Sequence, residues 1–244
     1  MRCYAFAKRV AKEILRDPLN LCFGIGFPIV LLLLLSAIQA NIPVSMFEIE
    51  VLAPGISVFG LSFMTLFSAT LIAKDRASSF LSRLYTTPMR AIDFILGYTI
   101  PILPMALVQS IFCYAVGLLL GMEFTGYIPL TLLYHIPMSL FYIALGLLCG
   151  AVFTDKQVGG ICGALLTNLS AWLSGIWFDL ELVGGIFVKV ANCLPFVHAV
   201  KLEQAAACGM FGEALPHLLW VTVYALLLLI AAVTVFLGKM KKGI

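Results

Sequence analysis

The residues able to do chemistry are few, and their spacing assembles no familiar site. His135, His198 and His217 are scattered along the 244 residues, and none has a Cys, Asp or Glu at metal-ligand spacing. No phosphate-binding G-x-x-x-x-G-K-[S/T] occurs. Gly238-Lys239 lacks both the upstream glycine and the following hydroxyl residue, so the chain does not hold ATP in the P-loop manner. H-E-x-x-H and G-x-S-x-G are also absent. No catalytic residue and no metal ligand is therefore assigned. What the apolar segments do carry is hydroxyls and amides. Ser57, Ser62, Thr65 and Ser68 fall within about 140° of one another on a helix. Thr167, Ser170 and Ser174 share one side of another, with Asn168 and Trp172 stacked at i, i+4. A mildly polar, aromatic-flanked wall suits an amphipathic solute. Hydrogen bonding between helices uses the same residue types, and both readings stand.

Other reactive groups are equally open. His135 falls inside an apolar run, where an ionisable group is a functional candidate by default; the plainer reading is a neutral histidine bonded to a neighbouring helix. No Asp, Glu, Lys or Arg is expected deep in any span, which argues against a proton- or sodium-coupled carrier. Cys193 and Cys208 share one segment, so a disulfide between them stays open.

The elements that must position these residues are dictated by an oily chain. It is 62% hydrophobic and 11% charged, against about 25% charged in soluble domains. The class is an all-α integral membrane protein, because the apolar runs are continuous rather than alternating in strand-length pieces. Residues 2–17 begin as an amphipathic helix, with Phe6, Val10 and Ile14 at i, i+4, i+8 and Lys8, Arg9, Lys12 and Arg16 on the polar side. It is expected to lie in the membrane interface. Six spans are expected at 19–40, 52–73, 92–121, 128–153, 158–177 and 215–237. The polar lead before Leu19 makes the first a span rather than a signal peptide. Pro101 and Pro104 should kink the third. The interrupted segment 178–214 is expected to form two short helices dipping into the outer face. Gly146-x-x-x-Gly150 and Gly159-x-x-x-Gly163 flank a short turn and predict a tight hairpin of the fourth and fifth spans.

Charge orients this topology. With the N-terminus inside, every Lys and Arg except Lys189 and Lys201 falls on the inner side. Glu48, Glu50, Glu123, Asp179, Glu181, Glu203 and Glu213 fall outside. Both termini are thus expected in the cytoplasm, in a cell (inner or plasma) membrane. The polar island 74–90 is then cytoplasmic. Its centre reads as a short amphipathic helix with Phe80, Leu81 and Leu84 as an apolar edge and Arg76 and Arg83 as a polar flank. Thr86, Thr87 and Pro88 end it. Such an island is built to touch a partner.

An ordered set of short motifs adds to this reading. Arg16-Asp17-Pro18-Leu19 leads into a span with Phe27-Pro28, and Leu52-Ala53-Pro54-Gly55 enters the second. Lys74-Asp75-Arg76 runs through Leu81-x-x-Leu84 to Thr87-Pro88-x-Arg90. Ser174-Gly175-Ile176-Trp177-Phe178 precedes Leu194-Pro195-Phe196-Val197-His198-Ala199-Val200 and Gly209. Over nearly its whole length the chain resembles the membrane subunit of type-2 ATP-binding-cassette (ABC) exporters, the half-size bacterial drug and antibiotic efflux permeases. One departure is Gln204, where such permeases often carry arginine.

The resemblance implies a dimer with a second copy or a homologous permease, working with two ABC ATPase subunits. ATP and Mg would sit on those subunits, with no cofactor on this chain and no nucleic acid partner. Residues 74–90 would hold the coupling helix, with Asp75, Arg76, Phe80, Leu81, Arg83, Leu84 and Thr87 as coupling residues. Lys8, Arg9, Lys12 and Arg16 would belong to the connecting helix beside it. The first, second and fifth spans would line the pathway, with Ser57, Thr65, Ser68, Thr167, Asn168 and Trp172 as its polar and aromatic positions. An intramembrane peptidase-like enzyme, or a sensor or immunity subunit that binds without transporting, is the alternative.

Overall fold

The structure is a computed structural model that describes residues 2–43, 47–87 and 89–242. Among these residues every regular element is helical. Helix α1, Arg2–Leu15, buries Phe6, Val10 and Ile14 and leaves Lys8 and Lys12 exposed. Asp17 then accepts from the Asn20 backbone N–H at 3.2 Å and starts α2, Pro18–Gln39. A wider, π-helical turn over Cys22–Gly26 interrupts α2. Helix α3, Ile49–Ala77, passes into the short α4, Phe80–Tyr85, through Ser79 at φ 57°. Helix α5 spans Ala91–Leu119 and α6 spans Ile128–Val152. Residues 155–174 form α7, with a π-helical stretch over Gly159–Leu166. Gly175, at φ 76°, ends α7 three residues before the expected Trp177.

Three short helices follow rather than two, because Gly184 at φ 67° splits the first part of the segment. They are α8, Leu180–Val183, α9, Gly185–Cys193, and α10, Pro195–Ala207. The last helix, α11, is Phe211–Lys242. Helices α2, α3, α5, α6 and α11 are long and apolar enough to cross a membrane, and the α9–α10 pair, bent by 72°, is a broken sixth span or a re-entrant loop. Helix α7 is absent from that set because Thr167, Asn168, Ser170 and Ser174 make it too polar. The chain is an all-α membrane protein, as its apolar runs predict.

Helix α3 is the centre of the bundle. Burial covers 83% of its apolar stretch, against 22% for α2 and 17% for α11. It packs on α6, α5, α10, α2 and α7, while α11 closes the far side against α6 and α10. The glycine pair of α6 makes the tightest of these contacts, and here the structure corrects an expectation. A Cβ at Gly146 would strike Ser68 and the Thr65 carbonyl, and one at Gly150 would lie 2.5 Å from the Ala69 oxygen. Gly146 and Gly150 therefore seat α6 on α3, not on α7. Gly159 has open space beside it and Gly163 meets only Leu66 of α3, so α6 and α7 meet not through these glycines but through Tyr142 and Ser170, whose hydroxyls lie 2.8 Å apart, and through Cys149 and Cys162.

Candidate coupling site at one end of the bundle

The site is built around Asp75, in the last turn of α3. Its side chain is only 3% exposed, which demands paired charge and full hydrogen bonding. Arg9 of α1 supplies both. Its Nη1 donates to Oδ2 at 2.7 Å and its Nη2 to Oδ1 at 2.6 Å, the two-pronged geometry of a charge-assisted guanidinium–carboxylate pair. The Tyr98 hydroxyl of α5 donates to Oδ2 at 2.7 Å. One carboxylate thus joins α1, α3 and α5. Arg9 also lies 3.9 Å above the Phe80 ring of α4, a cation–π contact, and 3.0 Å from Glu13. The hydrogen bond to Asp75 pushes the Arg9 pKa up, with burial opposing it. Burial pushes the Glu13 carboxyl up, with Arg9 opposing.

An aromatic stack completes the joint. Phe6 of α1 meets Tyr98 edge-on at 4.9 Å, Phe94 at 5.9 Å and Phe80 at 6.4 Å. This closeness depends on Gly97, where any Cβ would strike the Phe6 ring. Between α1 and α4 an open groove of about 470 Å³ remains, floored by Phe6, Phe80, Leu84 and Met89 and edged by Thr87.

The residues expected to act here are placed unequally. Leu81 is 1% exposed and anchors α4 in the core, so it presents nothing to a partner. Phe80 is spent largely on α1. Leu84 and Thr87 face the groove, and Arg83 is exposed. Arg76 instead caps α6: its Nη1 donates to the Gly150 and Phe153 carbonyls at 2.8 and 3.0 Å. Lys239 of α11 donates to the neighbouring Ala151 carbonyl. Two cations thus satisfy the carbonyl end of α6. Pro88 lies outside the described residues; the Thr86 and Thr87 hydroxyls donate to the Arg83 and Leu84 carbonyls at the end of α4. Lys8 and Lys12 on α1, and Arg16 just after it, are exposed.

The expected pathway residues divide as well. Ser57, Thr65 and Ser68 are buried. Thr65 donates to the Tyr142 carbonyl at 2.8 Å, and Ser68 to the Met64 carbonyl at 2.7 Å. They reach no surface of the bundle, which favours helix bonding for this set. On α7, Thr167 is half-buried, while Asn168 and Trp172 are exposed on the flank of the bundle.

A second polar centre lies where none was expected. Glu203, assigned from sequence to the outer side, is fully buried on α10. Its Oε1 accepts from the Tyr114 hydroxyl at 3.0 Å and the Ser57 hydroxyl at 3.3 Å, and lies 3.1 Å from His135 Nδ1. His135 and Glu203 are therefore partners, and an ionisable residue does sit deep in the bundle. Nearby, His198 and His217 join α10 to α11 with Nδ1 atoms 2.8 Å apart. Gln204 donates to the Val51 carbonyl at 3.1 Å, tying α10 to α3. Cys193 and Cys208 are both free thiols.

A family model described as ABC-2 family transporter protein matches residues 45–234. The match takes in α3 through most of α11 and leaves α1 and α2 outside it. A search of curated proteins found no match to the chain.

Proposed function

The chain belongs to the ABC-2 transporter family, and from that premise we propose that it is the membrane-spanning permease subunit of an ATP-driven exporter. Family membership makes it a transport component rather than an enzyme. The finer reading is that it moves a hydrophobic or amphipathic solute outward by alternating access. It pairs with a second permease, and two separate ATPase subunits bind the ATP and Mg. Both termini face the cytoplasm, which puts α1, α4 and the Asp75 joint on the side where ATP is found.

The observation that carries this reading is the Arg9–Asp75–Tyr98 joint. An ATPase seated on α4 and in the groove beside Leu84 would push on an element already fastened to α1 through Phe80, Phe6 and Arg9. Asp75 passes that push to α3, the most enclosed helix of the bundle. Helix α3 is bonded in turn to α6 and, through Ser57 and Glu203, to α10. A displacement of α4 is thereby communicated to the outer re-entrant helices. The exposed side of α7, with Asn168 and Trp172, together with α2, is then the surface turned toward the solute and the second permease.

The test is efflux from cells or proteoliposomes carrying the permease with either a wild-type ATPase partner or one that binds but cannot hydrolyse ATP. Efflux should require hydrolysis. Equal efflux with the inactive partner would defeat the proposal.

A further inference from the structure

We infer that the cavity between α1 and the adjoining ends of α2 and α3 is a binding site for the phosphate headgroup of an anionic phospholipid. The cavity holds about 700 Å³. Lys8 and Lys12 of α1 and Arg16 in the turn after it line the cavity, and Lys74 lines it from α3. Among the described residues Lys8, Lys12 and Arg16 have no side-chain hydrogen bond or ion pair, and Lys74 has only a contact of 3.9 Å to Asp17. The two carboxylates in the wall are already engaged. Glu13 is paired with Arg9 at 3.0 Å, and Asp17 accepts from the Asn20 side chain at 2.7 Å. Lys8, Arg9, Lys12, Arg16 and Lys74 thus face Glu13, Asp17 and the buried Asp75, so the cavity keeps a net positive charge.

Its position selects the source of the anion. Helix α1 has the alternation of an interfacial helix, and the cavity floor is Leu71 and Thr70, side chains of the membrane-crossing α3. On α2, whose Pro18 and Asn20 line the cavity, Leu19 and Phe23 are 67% and 48% exposed. A ligand here meets cations at one end and an open apolar wall at the other. A phospholipid has that polarity, with its phosphate held by the lysines and its acyl chains along α2. Clusters of basic residues next to a span attract anionic headgroups, about fivefold in affinity for each cation. A free phosphate would use the cations but leave the apolar wall unused.

The full-length permease, without its ATPase, can be taken from bilayers mixing phosphatidylglycerol with phosphatidylcholine, and the retained lipids counted by native mass spectrometry. The wild-type protein should keep phosphatidylglycerol in preference, and high salt should weaken that preference. The double variant Lys12→Gln, Arg16→Gln should bind it about 25-fold less tightly. The control Lys189→Gln, Lys201→Gln should match wild type, which also shows that lost charge alone is not the cause. A wild-type protein without headgroup preference, or a double variant that keeps it, would overturn the inference. Competition by millimolar inorganic phosphate would reassign the site to a soluble anion and overturn the lipid assignment. Because the measurement needs no ATPase, its failure leaves the transport proposal untouched.

Discussion

One oxygen of Glu203 gathers groups from three helices, Ser57 of α3, Tyr114 of α5 and His135 of α6, onto α10. All four residues are buried, so each donor left without an acceptor costs about 1–3 kcal/mol. Glu203→Ala is expected to lower the unfolding free energy in detergent by about 3 kcal/mol or more, whereas Glu203→Gln keeps an acceptor and should cost clearly less. Equal, small losses for both would mean the cluster is not holding α10. The sequence hid this centre because the charge rule assigns a residue by its neighbours along the chain, and 178–214 is too broken by glycine to read as buried. A signal did exist. Phe196, Ala199, Val200, Ala206 and Ala207 lie at i−7, i−4, i−3, i+3 and i+4 from Glu203, all apolar. A carboxylate on such a face needs a partner, and His135 was the unassigned group inside a span.

At the scale of elements, the same glycine spacing has opposite consequences in two helices. Gly150 of α6 sits against the backbone of α3, where an added Cβ would lie 2.5 Å from the Ala69 oxygen. Gly159 of α7 has nothing within reach. Gly150→Ala should push α6 from α3 and destabilise by about 1–3 kcal/mol. Gly159→Ala should be neutral or stabilise by up to about 1 kcal/mol, since alanine restricts the unfolded chain and clashes with nothing. Thermal unfolding of the two variants checks the sign, and a destabilising Gly159→Ala would show that α7 packs there. Small residues announced close approach, but spacing does not name the neighbour: α6 uses its glycines on the central α3 and not on the next helix in the chain. The amphipathic α1 and the long apolar spans were legible because each is decided by periodicity within one element. The three-way meeting at Asp75 was not, because Arg9, Asp75 and Tyr98 come from separate elements whose docking has no local sequence mark.

For the whole molecule, the question is whether α1, α3 and α4 move as one body. Leu84 and Asp75 separate docking from transmission. Leu84 lines the groove beside α4, whereas Asp75 is buried and, among the described residues, its side chain is hydrogen-bonded to Arg9 of α1 and Tyr98 of α5. Leu84→Asp places a charge in the groove and should reduce co-purification of the ATPase while leaving the permease in the membrane. Asp75→Asn keeps the shape of the side chain but removes its charge, so the ion pair that fastens α1 to α3 is lost and Arg9 is left paired with Glu13 of its own helix. Breaking a buried pair costs about 3–5 kcal/mol, and the partial exposure of Arg9 brings this toward about 2 kcal/mol. The complex should therefore still assemble and hydrolyse ATP, with solute moved per ATP falling about tenfold. Both quantities can be read from one proteoliposome preparation. If Asp75→Asn kept wild-type transport per ATP, the joint would be a structural fastening only, and the push from α4 would have to reach α3 through the Ser79 turn alone.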